Sequence, residues 1–474
     1  MIQTDSNTSP PPALDRSTGR WWALVVLALA QFLVVLDASI VNIALPSLGA
    51  DLALDTAALS GVITAYVLPF GGLLLFGGRL ADRFGHRRMF LVGVLGFVTA
   101  SALAGLAISG EMLLTARALQ GASAALLAPA SLALLTQLFR TPGDRARALG
   151  IWGAVAGIGS AAGVLLGGVL TAAFGWSAVF FVNVPVGVIV LLVIPRLITR
   201  DPVGTRQRLD LPGAITVTTG LVALVAGFTQ SAGLGFGHPL VIGLFAAAAV
   251  FLTAFVVIES RSSSPLVPLG IFRTASITAG NLAILALGGA TVALFFSLSV
   301  YMQAVLGYDA LTAGLTQLPL AGSLVLIAGV VPTIIARVGV RQTLVGSLVV
   351  LAAGLVWLSF APSDATFVAH LLAPTIVIGI GLGGAFVAGT ELAVTGVSDG
   401  QAGLASGLVN TSQQIGGAIG LAVLSTVAAT RTESLLAVGS PVDAALTSGF
   451  SWTFLGAATL ALLGAAAVGL VRQR

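Results

Sequence analysis

Of the chain's 474 residues, 57% are hydrophobic and only 8% charged, whereas a soluble domain carries roughly 25% charged residues, so its charges are too few to cover a soluble surface. Its basic residues are all Arg, 21 against 17 acids for a net charge of +4, and no basic run interleaved with aromatics suggests a nucleic-acid partner. Cysteine is absent, which excludes disulfides, thiolate catalysis and Cys-ligated metal. Three scattered histidines (His86, His238 and His370) offer no metal cluster.

Residues 1–21 read as a polar, Pro-containing, disordered cytoplasmic tail. A membrane helix needs about 20 apolar residues to cross roughly 30 Å of hydrocarbon, and fourteen such stretches follow: 22–44, 59–78, 89–109, 112–135, 148–171, 177–195, 212–230, 239–258, 276–300, 313–335, 342–361, 366–390, 402–428 and 449–471. The first is long enough to span, its apolar run reaching Leu45, and is read as a helix in preference to a signal peptide. Cytoplasmic loops are expected to hold the excess of basic residues. With the N-terminus inside, 19 of the 21 Arg fall in cytoplasmic segments. Arg431 falls outside and Arg117 within a span. A miscounted helix would invert the pattern downstream, so both termini are expected to be cytoplasmic. The 391–401 loop fits least well, carrying Glu391 and Asp399 and no Arg.

Near the second and third spans the chain reads Gly78-Arg79-Leu80-Ala81-Asp82-Arg83-Phe84-Gly85-His86-Arg87-Arg88. An offset of 254 residues places Arg337, Gly339 and Arg341 on Arg83, Gly85 and Arg87, a weak internal duplication of the parallel kind. The expected organisation is an all-α membrane protein with two six-helix bundles, 22–195 and 276–474. Region 196–275 supplies linkers and an inserted helix pair between them.

Several motifs then resemble the fourteen-span drug:proton antiporter branch of the major facilitator superfamily. Leu36-Asp37-Ala38-Ser39-Ile40-Val41-Asn42-Ile43-Ala44-Leu45-Pro46 resembles that branch's first-helix signature, LDxTxVNVALP. The Gly78–Arg88 stretch is similar to the loop motif GxLaDrxGrr, and Arg117, Gln120 and Gly121 to the fourth-helix RxxQG. Gly159, Gly163, Gly167 and Gly168 resemble the fifth-helix motif GxxxGPxxGG, with Val164 where that motif has Pro. Trp176 with Phe181–Gly187, and Gly403–Gly420, resemble two further segments of the branch. The resemblance covers nearly the whole chain. It implies a proton-coupled exporter of a small amphipathic compound, with no cofactor, in the plasma membrane of a bacterium, and monomeric.

Asp37 lies deep in the first span, where a charge costs at least ~2.5–3.5 kcal/mol by insertion scales. Burial favours its protonated form and a nearby guanidinium its ionised form, so it reads either as a proton site or as a fixed ion pair. Arg117 lies at similar depth, within ~5 Å by helical rise, and Glu391 is a second candidate coupling carboxylate. Asp82 with Arg83, Arg87 and Arg88, beside Gly78 and Gly85, reads either as topogenic charge or as a cytoplasmic gate. Gly159, Gly163 and Gly167 form one smooth face for close helix packing. Gln31, Asn42, Gln120, Asn281, Gln317, Asn410, Gln413 and Gln414 are candidates to line a substrate cavity. An importer or uniporter of the same fold is the nearest alternative. An enzyme or channel is disfavoured, since the sequence carries no catalytic or metal constellation and no repeated polar stripe.

Overall fold

The computed structural model describes residues 16–470 apart from 55, 140, 199–209, 264 and 396–401. Of the expected tail 1–21, residues 1–15 lie outside the described residues, as do much of the first linker and part of the 391–401 loop, whereas residues 16–21 are helical and form the start of α1. In lipid every backbone polar group must be satisfied within its own segment, and the described residues are accordingly almost entirely helical. The first half contains α1 (Arg16–Asp51), α2 (Thr56–Phe84), α3 (His86–Gly105), α4 (Gly110–Leu138), α5 (Pro142–Phe174), the single turn α6 (Ala178–Phe181) and α7 (Asn183–Leu197). An intervening pair, α8 (Leu211–Leu234) and α9 (Pro239–Arg261), is followed by α10 (Ala275–Val300), α11 (Ala310–Val338), α12 (Val340–Leu358), α13 (Leu372–Val394), α14 (Ala402–Ala437) and α15 (Val442–Leu470).

Thirteen described helices are long and apolar enough to cross a membrane. α5 has 33 residues, with Ala162–Phe174 as its fully described apolar part, so the fold has thirteen to fourteen spanning helices. The sixth span runs through Ala178–Leu197, with α6 and α7 joined by Val182, whose backbone is itself right-handed helical (φ −59°, ψ −27°). α5 continues through Val164 with its only Pro at the N-terminus, where the missing N–H breaks no helical bond.

One unit occurs twice. α2 passes into α3 through Gly85 alone, and α11 into α12 through Gly339 alone. Both glycines have positive φ, 95° and 90°, a conformation that costs a residue with a Cβ. The same offset of 254 residues maps α2 onto α11 end for end.

Packing repeats likewise. α1 lies on α5, and α4 on α2 and α3; in the second set α10 lies on α14, and α13 on α11 and α12. α8 pairs with α9, and α8 also touches α2 and α14. The two sets meet where α2 packs on α14 and α5 on α11. At the end remote from Gly85, the Ser299 hydroxyl donates to the Asn42 carbonyl at 2.6 Å and Gln303 donates to the Ile43 carbonyl at 3.0 Å.

Candidate functional site

The first-helix segment Leu36–Pro46 continues α1 without interruption, so Asp37 is carried on a regular helix into the interior. Its side chain is 0% exposed, and that of Arg117 on α4 is 1% exposed. The Arg117 guanidinium donates to Asp37 Oδ2 at 2.5 Å. Oδ1 of Asp37 accepts from Gln120 Nε2 at 2.7 Å and from Asn183 Nδ2 at 2.9 Å. Gln120 Nε2 also reaches the Ser101 hydroxyl at 2.7 Å. Arg117 is held in turn by Gln120 Oε1 at 2.7 Å, by the Val62 carbonyl at 3.3 Å and by the Tyr66 ring, whose centroid is 4.3 Å from the guanidinium carbon.

The local sequence explains how five elements meet here. Arg117 and Gln120 are three residues apart on one helix and therefore neighbours on one face. A Cβ on Gly121 would strike the Tyr66 carbonyl, so glycine there lets α4 approach α2 until Arg117 meets the Val62 carbonyl. Gly187, whose Cβ would strike Val98, likewise lets α7 approach α3 and brings Asn183 to the carboxylate. A buried charge pair is tolerated when its remaining hydrogen-bond capacity is met, and both Asp37 oxygens have partners. The buried Tyr66 hydroxyl and Asn183 Oδ1 have no recorded partner.

The structure thus brings Asp37 and Arg117 together and places Glu391 elsewhere, exposed near the end of α13. Gln120 belongs to the Asp37 network. Asn281 is tied across helices, its Oδ1 accepting from the Ser412 hydroxyl at 3.0 Å, and Asn42 is bonded within its own helix to the Ala38 carbonyl at 2.8 Å. Gln317 is fully buried with both amide atoms unpartnered, and Gln31 has an unpartnered Oε1. Asn410 is exposed, and Gln413 and Gln414 are half-buried where α14 faces α10 and α2. Two members of the network, Tyr66 and Ser101, are not singled out by the sequence. Asn183 carried a signal, as an amide between apolar residues in a segment resembling the family.

In the α2–α3 segment, Asp82 bonds to His86 Nε2 at 3.1 Å and His86 Nδ1 to Gln137 at 3.0 Å. Arg79 donates to the Pro265 carbonyl at 2.5 Å and Arg87 to the Pro195 carbonyl at 3.2 Å. Arg83 lies beside the Phe84 ring, Arg88 is exposed, and Gly78 faces Pro129. The segment therefore ties α3 to the ends of α4 and α7, and α2 to α3 and to the connector that follows α9. Gly159, Gly163 and Gly167 all lie against α1, and a Cβ on Gly163 would sit 2.6 Å from Ser39 Cβ. Gly168 faces the other way, onto the Ala310 carbonyl of α11.

A bundle of thirteen to fourteen spanning helices, with a repeated helix–glycine–helix unit and a charge pair sealed inside one half, defines a polytopic membrane transporter. The chain belongs to the Major Facilitator Superfamily, which matches residues 27–421 and is a family of transporters, not catalysts. It is homologous to antibiotic and multidrug efflux proteins of that family, and it is a multi-pass plasma-membrane protein with bacterial relatives. It is 43% identical over 442 residues to the puromycin resistance protein of Streptomyces alboniger, covering 91% of this chain and 86% of that one. Identity to the cephamycin export protein of Amycolatopsis lactamdurans is 44% over 449 residues, covering 93% and 90%. Among solved structures, the fold is similar to a bacterial homolog of the human lysosomal transporter Spinster. The TM-score is 0.68 at 15% identity, with 98% of each chain covered. An auto-inhibited POT family peptide transporter gives 0.68 at 18% identity, covering 96% and 97%.

Proposed function

We propose that this protein exports a small amphipathic compound in exchange for protons by alternating access, with Asp37 as the proton carrier. The observation that carries this reading is the fully buried Asp37–Arg117 pair with two amide donors on the second carboxylate oxygen. A proton and the Arg117 guanidinium compete for Oδ2. When the proton wins, Arg117 loses its counter-charge and keeps Gln120, the Val62 carbonyl and the Tyr66 and Phe180 rings. The network binds α1 to α2, α3, α4 and α7, so protonation alters the packing of the helices that must move. Each proton moving through ~100 mV supplies about 2.3 kcal/mol, roughly a 50-fold concentration ratio.

Two six-helix halves, 22–195 and 276–474, move about the site, with the inserted pair between them. Both termini lie on the cytoplasmic side, a reading the arginine distribution supports, and the monomer is the working unit. The α2–α3 segment, with Asp82 and its arginines, acts as the cytoplasmic gate. Gln31, Gln317, Asn410, Gln413 and Gln414 supply polar contacts to substrate. The relatives named for puromycin resistance and cephamycin export support antibiotic-like compounds as the substrate class and outward transport as the direction. Expression in a drug-sensitive host, with a panel that includes puromycin and a cephamycin, tests this. Raised tolerance to at least one compound, lost on Asp37→Asn at equal expression, is expected. Unchanged tolerance across the panel, with the protein present in the membrane, argues against export of this class.

A further inference from the structure

Away from Asp37, two buried acids each leave one oxygen unsatisfied. Asp210 caps α8, its Oδ1 accepting from Gly213 N at 2.8 Å, and its Oδ2 has no partner. Glu259, in the last turn of α9, accepts from Val267 N through Oε2 at 3.0 Å, and its Oε1 has no partner. The residues are 7% and 3% exposed. They face each other across Gly213, where a Cβ would lie 2.7 Å from Glu259 Oε1 and 3.0 Å from Asp210 Oδ1.

Among the described residues, one positive charge acts on Glu259. Arg79 of α2 holds the Pro265 carbonyl and, with Asp210, acts electrostatically on Glu259. An apolar core adjoins the pair: Leu266 and Val267 of the connector pack with Ala214 of α8, Ile277 of α10 and Leu408 of α14, and Leu75 of α2 packs against it. α10 and α14 therefore bring no titratable group to this cluster.

We propose that Asp210 and Glu259 form a proton-binding site of their own, holding one proton between them, and that this proton keeps the inserted helices docked on α2, α10 and α14. Two buried carboxylates flanking one glycine in a low-dielectric setting do not both stay ionised. Among the described residues, Arg79 is the one cation set against the two carboxylates. A single O–H supplies the donor that both orphan oxygens lack. The N-terminus of α8 favours the charge on Asp210, which leaves the proton on Glu259. Losing that proton sets two like charges against each other where the connector folds back on α9, so the pair senses pH at the arginine-bearing end of the molecule.

The test compares the purified full-length protein with Glu259→Gln and Asp210→Asn in lipid nanodiscs. Infrared spectra at neutral pH should show a deuterium-sensitive protonated-carboxyl band that is missing in Glu259→Gln. The thermal midpoint of the wild type should fall as pH rises and the proton is lost. Glu259→Gln, which keeps a neutral donor with nothing to titrate, should give a flatter profile. If Glu259→Gln does not fold, Asp210→Asn still tests the pair, since Asn caps a helix as well as Asp and removes the partner charge; its carboxyl band should shift. A band unchanged in both variants, or superimposable pH profiles, would overturn the proposal. Neither readout depends on transport or on Asp37.

Discussion

Replacing Asp37 by Asn tests the buried pair where its energetics are best defined. Asn is nearly isosteric, and its carbonyl oxygen can still accept from Gln120 and Asn183. The Arg117 guanidinium, 1% exposed, loses its only counter-charge in the network. Breaking a buried pair from one side typically costs about 3–5 kcal/mol. The Tyr66 ring at 4.3 Å continues to stabilise the cation by roughly 0.5–2 kcal/mol, so we expect a loss near the lower end, about 3 kcal/mol. Adding Arg117→Gln removes the uncompensated buried charge, which is the source of that cost, and lets two amides pair. The double variant should therefore be more stable than Asp37→Asn alone, in spite of carrying one more substitution. Apparent midpoints of purified protein in a single detergent, at fixed heating rate, provide the comparison. A single variant as stable as the wild type, or a double variant less stable than the single, would refute the reasoning.

Gly163→Leu should destabilise by ~1–3 kcal/mol through overpacking of α1 on α5, with Gly163→Ala milder, as read from the same midpoints. Asp82→Asn should insert normally and yet transport more slowly at equal expression; wild-type turnover would reduce the segment to simple topogenic charge. Single cysteines at the exposed Ser363 and Ser109 should label from outside intact cells, and one at Ser262 should not. Labelling of Ser262 from outside would contradict the proposed orientation. Hydrogen bonds from the Thr312 side chain and backbone N–H hold the Asp309 carboxyl below the usual carboxylate range. Its stabilising contribution is then present above the unfolded value of about 3.9 and is lost as pH falls through the lower folded value. Asp309→Asn, which preserves the cap, should flatten the acid end of the stability profile.

In a membrane helix, position along the chain converts directly into depth, and for that reason the Asp37–Arg117 contact was legible from residue counting. Gln120 follows from its spacing to Arg117. Ser101 and Tyr66 do not, since their inclusion depends on how α2 and α3 are rotated about their axes, and an all-apolar helix carries no periodic pattern to reveal rotation. The glycine face of α5 was legible as a packing surface; that Gly168 turns instead to α11 required the second half in place. The interruption of helical bonding at Phe181 does have a local sign, since Pro185 has no N–H to offer the Phe181 carbonyl. Asp210 and Glu259 sit at helix ends next to arginine-rich connectors, where acids ordinarily face water. They are buried because Leu266 and Val267 fold back beneath α9, a tertiary event with no local signal.

The most direct test of the proposed coupling is uptake into inverted membrane vesicles of a compound to which the protein confers resistance, with and without an imposed pH gradient. The account predicts that wild-type vesicles accumulate the compound only when the lumen is acidic. Asp37→Asn vesicles should exchange labelled for unlabelled compound and fail to accumulate it. Full gradient-driven accumulation by Asp37→Asn, together with its loss in Glu391→Gln, would contradict the account and move the coupling site to the second half.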